Sequence, residues 1–170
     1  MTTNLSTSIR PGTYTLDLAR STCTLNAAHA FGLKPVTATV SVLGGTVTVA
    51  ADPTASSASA RLDAGSFTSD DPKRDKDIRG KRFLDAAAHP VIGFRSTACA
   101  RTPAGWSMTG VLSVRGTDST VTLTLDELEP IGDGFRCVAR GTIDRVTAGV
   151  KTGRGIIARP VHITLDVYAS

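Results

Sequence analysis

The sequence predicts an all-β protein: a single antiparallel β-barrel with one short helical insertion around residues 71–88. Three observations lead there. Apolar and polar residues alternate with period two along most of the chain, as they do in strands with one buried face. Turn-forming clusters break that alternation at short intervals: Asp52-Pro53, Thr102-Pro103-Ala104-Gly105, Gly116-Thr117-Asp118 and Gly132-Asp133-Gly134. Only one stretch, near residues 71–88, reads as helical.

The elements follow in order. Residues 13–18 and 22–28 open the strand series. Val36, Ala38, Val40 and Val42 share one face, and Val47 and Val49 repeat the pattern beyond Gly44-Gly45, a pair that predicts a hairpin turn. Residues 58–64 come next, then the helical stretch. Asp70 or Asp71 can cap it and Pro72 suits a first helical turn. His89-Pro90 stops it, because the residue before proline is pushed out of the helical region. Residues 91–100, 106–114, 120–125 and 135–143 resume the alternation. The C-terminal run is clearest, with Val161, Ile163, Leu165 and Val167 on one face and His162, Thr164, Asp166 and Tyr168 on the other. At 170 residues the chain suits one domain with a sizeable core. Residues 1–12 are expected as a flexible N-terminal segment and residues 13–170 as the barrel domain.

Many strands with one apolar face each must hide those faces together, in a sandwich or a closed barrel. Beside Leu and Val, the inward positions include Ala38, Ala58, Ala60, Ala64, Ala98, Gly110, Ala139 and Gly141. An eight-stranded barrel is just wide enough to be filled by side chains or to hold one small ligand. The small residues favour a cavity. The competing outcome is that Phe94, Trp106, Met108 and Phe135 fill the gaps, and the residues alone leave both open.

Composition narrows the function classes. The chain is 41% hydrophobic and 20% charged, ordinary for a globular protein, with a net charge of +4. Its densest basic run, residues 73–82, is interrupted by Asp75 and Asp77 and carries no interleaved aromatics. A solvated surface suits it better than a nucleic-acid face, so no nucleic-acid partner is expected. No stretch approaches the roughly 20 apolar residues that span a bilayer. Met1-Thr2-Thr3-Asn4-Leu5-Ser6 lacks the shape of a secretory signal, so the expected location is cytoplasmic unless a signal has been removed.

Candidate chemistry is thin. Cys23, Cys99 and Cys137 are odd in number, far apart and set in apolar stretches, as inert buried thiols would be. His29, His89 and His162 lack the spacing that brings two imidazoles to one metal. They read as a strand-end cap, a turn residue and a solvated side chain. Gly149-Val150-Lys151-Thr152-Gly153-Arg154-Gly155 is glycine-rich but lacks the order of a phosphate-binding loop, and reads as a mobile loop. Asp75, Asp77 and Asp85 sit among Arg and Lys, which favours ion pairing. No catalytic residue, metal or cofactor is expected.

Several motifs then fall in a recognisable order. Arg74-Asp75-Lys76-Asp77-Ile78-Arg79-Gly80-Lys81-Arg82-Phe83-Leu84-Asp85 is followed by His89-Pro90-Val91-Ile92-Gly93-Phe94-Arg95-Ser96 and by Gly110-Val111-Leu112-Ser113-Val114-Arg115-Gly116-Thr117. Gly141-Thr142-Ile143-Asp144-Arg145 and Val161 to Val167 close the series, and Tyr14-Thr15-Leu16-Asp17, Ser21, Leu25 and His29 open it. Together they resemble the YceI family of lipid-binding barrels over nearly the whole chain. The resemblance implies an extended, lipocalin-like barrel that holds a polyisoprenoid or related long-chain amphiphile, with no metal or catalytic cofactor and with a homodimer as one option. The expected lining residues are Leu16, Val40, Leu62, Phe94, Trp106, Met108, Leu123 and Ile163. Arg79 or Arg82 is expected to meet a polar head group, or else to hold the helical insertion through the neighbouring carboxylates. The expected function is non-catalytic carriage or sequestration of a hydrophobic small molecule. An enzyme acting on such a lipid, and a filled barrel serving as an interaction module, are the alternatives.

Overall fold

The computed structural model describes residues 9–28, 35–152 and 158–170. Ten strands form one antiparallel sheet: β1 (Gly12–Thr15), β2 (Thr22–Ala28), β3 (Pro35–Val40), β4 (Val42–Val49), β5 (Ser57–Asp63), β6 (Val91–Thr102), β7 (Gly105–Val114), β8 (Thr117–Ile131), β9 (Gly134–Asp144) and β10 (Pro160–Ala169). Their spatial order is β1-β4-β5-β6-β7-β8-β9-β10-β2-β3. The sheet rolls up on itself. The residues after β1 meet the far end of β10: Leu16 bridges Ala169, and Thr15 and Ser170 exchange backbone hydrogen bonds of 2.9 and 3.0 Å. At the other end Thr39 of β3 bridges Thr68. The expected antiparallel barrel is what the chain builds. No helix among the described residues is long and apolar enough to cross a membrane.

Strand β7 shows the governing pattern most simply. Trp106, Met108, Gly110, Leu112 and Val114 are all buried, and every residue between them is only partly so. Side chains alternate across a pleated strand, so this spacing commits one whole face to the interior. The tight β7–β8 connection needs left-handed backbone at Arg115 (φ 50) and Gly116 (φ 72), the conformation of a two-residue hairpin turn.

Gly44-Gly45 is not a hairpin. Both glycines lie inside β4, and the chain changes partners at Ser41, so that β3 pairs with β2 while β4 pairs with β1 and β5. The change of phase in the sequence is real but comes from a β-bulge between Val42 and Gly44. One extra residue flips which parity faces inward. Val42 is buried, whereas Val47 and Val49, of the opposite parity, line the interior beyond the bulge. A bulge between Ser96 and Ala98 acts alike in β6: Ala98, expected inside, is exposed, and Cys99 takes the inward position.

The helical insertion is shorter than expected. Helix α1 spans Pro72–Arg79, and residues 80–88 fold back as turns. Asp71 is the cap, accepting from the backbone N–H groups of Lys73 and Arg74, with Pro72 in the first turn. Gly80 ends the helix, and the carbonyls of Ile78 and Arg79 accept from Leu84 and Ala86 instead of continuing it. Asp75 is the buried polar anchor, 1% exposed. Its carboxylate accepts from the Ser69 backbone N–H (2.8 Å) and hydroxyl (2.5 Å). Arg79 donates through Nε to the Phe67 carbonyl at 2.8 Å, which ties the helix to the segment leaving β5.

Candidate ligand-binding interior

The inward faces do not close over a filled core. Two cavities lie inside the barrel, of about 160 and 410 Å³, and among the described residues they share no lining side chain. They are stacked end to end. Along β10, Val161 and Ile163 line the larger and Leu165 and Val167 the smaller. Along β5 the division falls between Ala60 and Leu62, and along β6 between Phe94 and Ile92. Exposed residues line each outer end, Pro11 and Ala51 for the smaller cavity and Asp71 and Asp77 for the larger.

Every expected lining residue faces one of these spaces. Leu16, Phe94, Trp106, Met108 and Leu123 line the smaller; Val40, Leu62 and Ile163 line the larger. They are thus brought to one interior but not to one chamber. The small inward residues explain why. Ala38, Ala58, Ala60 and Ala139 do border open space. The inward glycines instead serve as seats for large neighbours. A β-carbon on Gly110 would stand 2.5 Å from Phe94 Cε2, one on Gly141 2.8 Å from Leu123 Cδ2, and one on Gly45 2.6 Å from Leu16 Cδ1. Such separations are impossible for real carbons, so each side chain occupies room that only glycine leaves. Phe94, Leu123 and Leu16 form a waist, with buried Val42, Cys23 and Val121 in neither chamber.

The polar groups sit asymmetrically. The smaller cavity is apolar apart from Ser56, Ser59, Cys99 and Cys137. Burial pushes the Cys137 and Cys23 thiols up to about 12, and raises Cys99 as well. Thiols held protonated in this way are poor nucleophiles and poor metal ligands. The larger cavity carries Asp71, Arg74, Asp77 and Arg145. Arg145 is 8% exposed and donates to the carbonyls of Val150 (2.8 Å), Thr152 (2.7 Å) and Ala158 (3.0 Å). Burial lowers its pKa, while Asp144 raises it and Arg159 lowers it further. Arg74 donates through Nη2 to Ser69 and to Asp70, leaving its buried Nε without a hydrogen-bond partner among the described residues.

Among the described residues, neither Arg79 nor Arg82 lines either of these two cavities. Arg79 is engaged with Phe67, and Arg82 is exposed, its carbonyl accepting from the Thr152 hydroxyl. Arg74 and Arg145 hold the places expected of them. Arg145 was legible: it continues the inward series Ala139, Gly141, Ile143 and puts a charge on an apolar face. Arg74 lies on a helix whose orientation no local pattern fixes. His162 is exposed and pairs with the Thr142 hydroxyl at 2.9 Å. His89 packs beside Gly116 in its turn. His29 and residues 153–157 of the glycine-rich stretch lie outside the described residues, although Val150 at its start is buried. Among the described residues no group of three or more His, Cys, Asp or Glu is placed to hold a metal ion.

The comparisons with known proteins converge. The family model for the YceI-like domain matches residues 14–169. A UPF0312 protein of Yersinia pestis is 30% identical over 122 residues, covering 68% of this chain and 63% of the relative, so the matched region is under two thirds of that protein's length. Burkholderia cenocepacia BcnA superposes with a TM-score of 0.77 at 25% identity, covering 91% of this chain and 99% of BcnA. A polyisoprenoid-binding domain from Saccharophagus degradans, implicated in plant cell wall breakdown, shares the fold with a TM-score of 0.71 at 13% identity, covering 92% and 97%. With the family model matching from β1 to β10 and the barrel built as its relatives build theirs, this chain belongs to the YceI-like family.

Proposed function

We propose that this barrel binds an apolar or amphiphilic lipid of the isoprenoid or long-chain class and holds it without altering it. The observation that carries the reading is the pair of end-to-end apolar cavities inside the strands. Apolar surface leaving water gains roughly 25 cal/mol per Å², so an extended hydrocarbon chain gains in proportion to the length it buries. Leu16, Phe94, Trp106, Met108 and Leu123 are the proposed contacts in one chamber, and Val40, Leu62 and Ile163 in the other. The polyisoprenoid-binding description of the Saccharophagus degradans domain supports the class of ligand. A polar head group would find its partners in the larger chamber, whose lining includes Arg74 and Arg145 beside Asp71 and Asp77. Among the described residues lining the smaller chamber, the thiols of Cys99 and Cys137 are held protonated by burial, which favours holding over chemistry.

Protein purified under mild conditions is expected to carry an apolar small molecule, visible as added mass in native mass spectrometry and recovered by solvent extraction. Repeated recovery of an empty protein with no affinity for prenyl chains overturns the proposal, and turnover of the bound lipid would replace it with an enzyme.

A further inference from the structure

From the division of the interior we infer that Phe94, seated on Gly110, sets the length of the chain this barrel accepts, by separating two chambers that a long ligand would have to join. The inference rests on the lipid-holding reading and adds a specificity-determining residue to it.

A ligand confined to one chamber touches only the residues on its own side of the waist. A longer one must cross between Phe94, Leu123 and Leu16, whose side chains stand over Gly110, Gly141 and Gly45. These three are not equivalent. Leu16 and Leu123 each bring the end of a branched aliphatic chain, Cδ1 and Cδ2, over their glycines. Phe94 presents a ring. Two of its carbons, Cε2 and Cζ, lie 2.5 and 2.6 Å from where a Gly110 β-carbon would be, so the ring covers the floor of the neighbouring strand. Register reinforces this. Phe94 pairs with Ala60 on one side and with Leu112 on the other, and its neighbour Ile92 already belongs to the larger chamber. The ring therefore stands on the boundary itself. Room for it exists because Ala60 is small and Gly110 has no side chain. Each chamber also reaches exposed residues at its own outer end, so a short chain needs no passage through the waist.

The test measures competition between a fluorescent apolar probe and a graded series of prenyl alcohols (geraniol, farnesol, geranylgeraniol and solanesol), with native mass spectrometry as a second readout. The wild type is expected to bind the short alcohols and to lose about tenfold or more in affinity once the chain outgrows the larger chamber, a discrimination of the size that steric limits in apolar pockets give. Phe94→Ala is expected to abolish that fall and shift the preference towards longer alcohols. Phe94→Leu, which keeps apolar bulk while uncovering Gly110, repeats the test if the alanine variant does not fold. Identical length profiles for the wild type and a folded variant overturn the inference while leaving lipid binding intact. Failure of every alcohol to bind any form of the protein overturns the lipid-holding reading and this inference with it.

Discussion

Asp75 is 1% exposed, yet burial does not leave it protonated. Desolvation alone would push its carboxyl pKa up. The hydroxyl and backbone N–H of Ser69 and the nearby guanidiniums of Arg79 and Arg74 outweigh that and hold the carboxyl below its ordinary value. A carboxylate with a depressed folded-state pKa contributes stability that is fully present above the unfolded value of about 3.9 and is lost as pH falls through the folded value. Acidification below about pH 4 should therefore destabilise the protein partly through this residue. Asp75→Asn keeps the shape but removes the charge and one acceptor from a site where hydrogen bonds to a charged group count for most. It should cost on the order of 2 kcal/mol at neutral pH, read as a lower midpoint in urea. The variant should also show a flatter stability profile below pH 4 than the wild type. Equal slopes for the two proteins in that window would show that Asp75 does not carry this linkage.

At the level of the strands, the glycines divide into those that hold a shape and those that only permit one. A β-carbon on Gly110 would meet the Arg95 carbonyl oxygen and the Phe94 ring, whereas one on Gly93, a strand away, would meet nothing within 4 Å. Neither backbone is in the left-handed region. Gly93→Ala should be neutral or stabilising by up to about 1 kcal/mol, since it restricts the unfolded chain at no cost to the folded one. Gly110→Ala should destabilise by roughly 1–3 kcal/mol, the usual cost of overpacking. Chemical denaturation of the pair would separate them, and equal midpoints would mean that the waist repacks freely. The same positions show how far the sequence could be read. Period two placed nearly every strand, because it comes from the pleat itself. It could not distinguish a turn from a bulge at Gly44-Gly45, since both change the parity of the inward face. Nor could it foresee that Ala98 lies beyond a bulge in β6 and points outward. Small inward residues correctly suggested open space. That the alanines border it while Gly45, Gly110 and Gly141 are occupied depends on side chains of the neighbouring strand, far off in sequence, which no local pattern records.

For the molecule as a whole, the consequence of a divided interior is that its strands are shared while its cavities are not. Strands β5, β6, β7, β9 and β10 each contribute side chains to both chambers, so filling either one should tighten the entire sheet and not just one end. A ligand that binds only the folded state adds RT ln(1 + [L]/Kd), about 2.7 kcal/mol at a hundredfold excess over Kd. For a domain of this size each kcal/mol raises the melting temperature by roughly 2–4 °C. Farnesol at such an excess should therefore raise the melting temperature of lipid-free protein by about 5–10 °C in a single cooperative transition. Because both chambers draw on the same strands, hydrogen exchange should slow on both sides of the waist, at Leu165 and Val167 as well as at Val161 and Ile163 of β10. Protection confined to one end of β10 would show that the chambers are energetically separate. An unchanged melting temperature despite displacement of an apolar probe would place the bound alcohol outside the barrel.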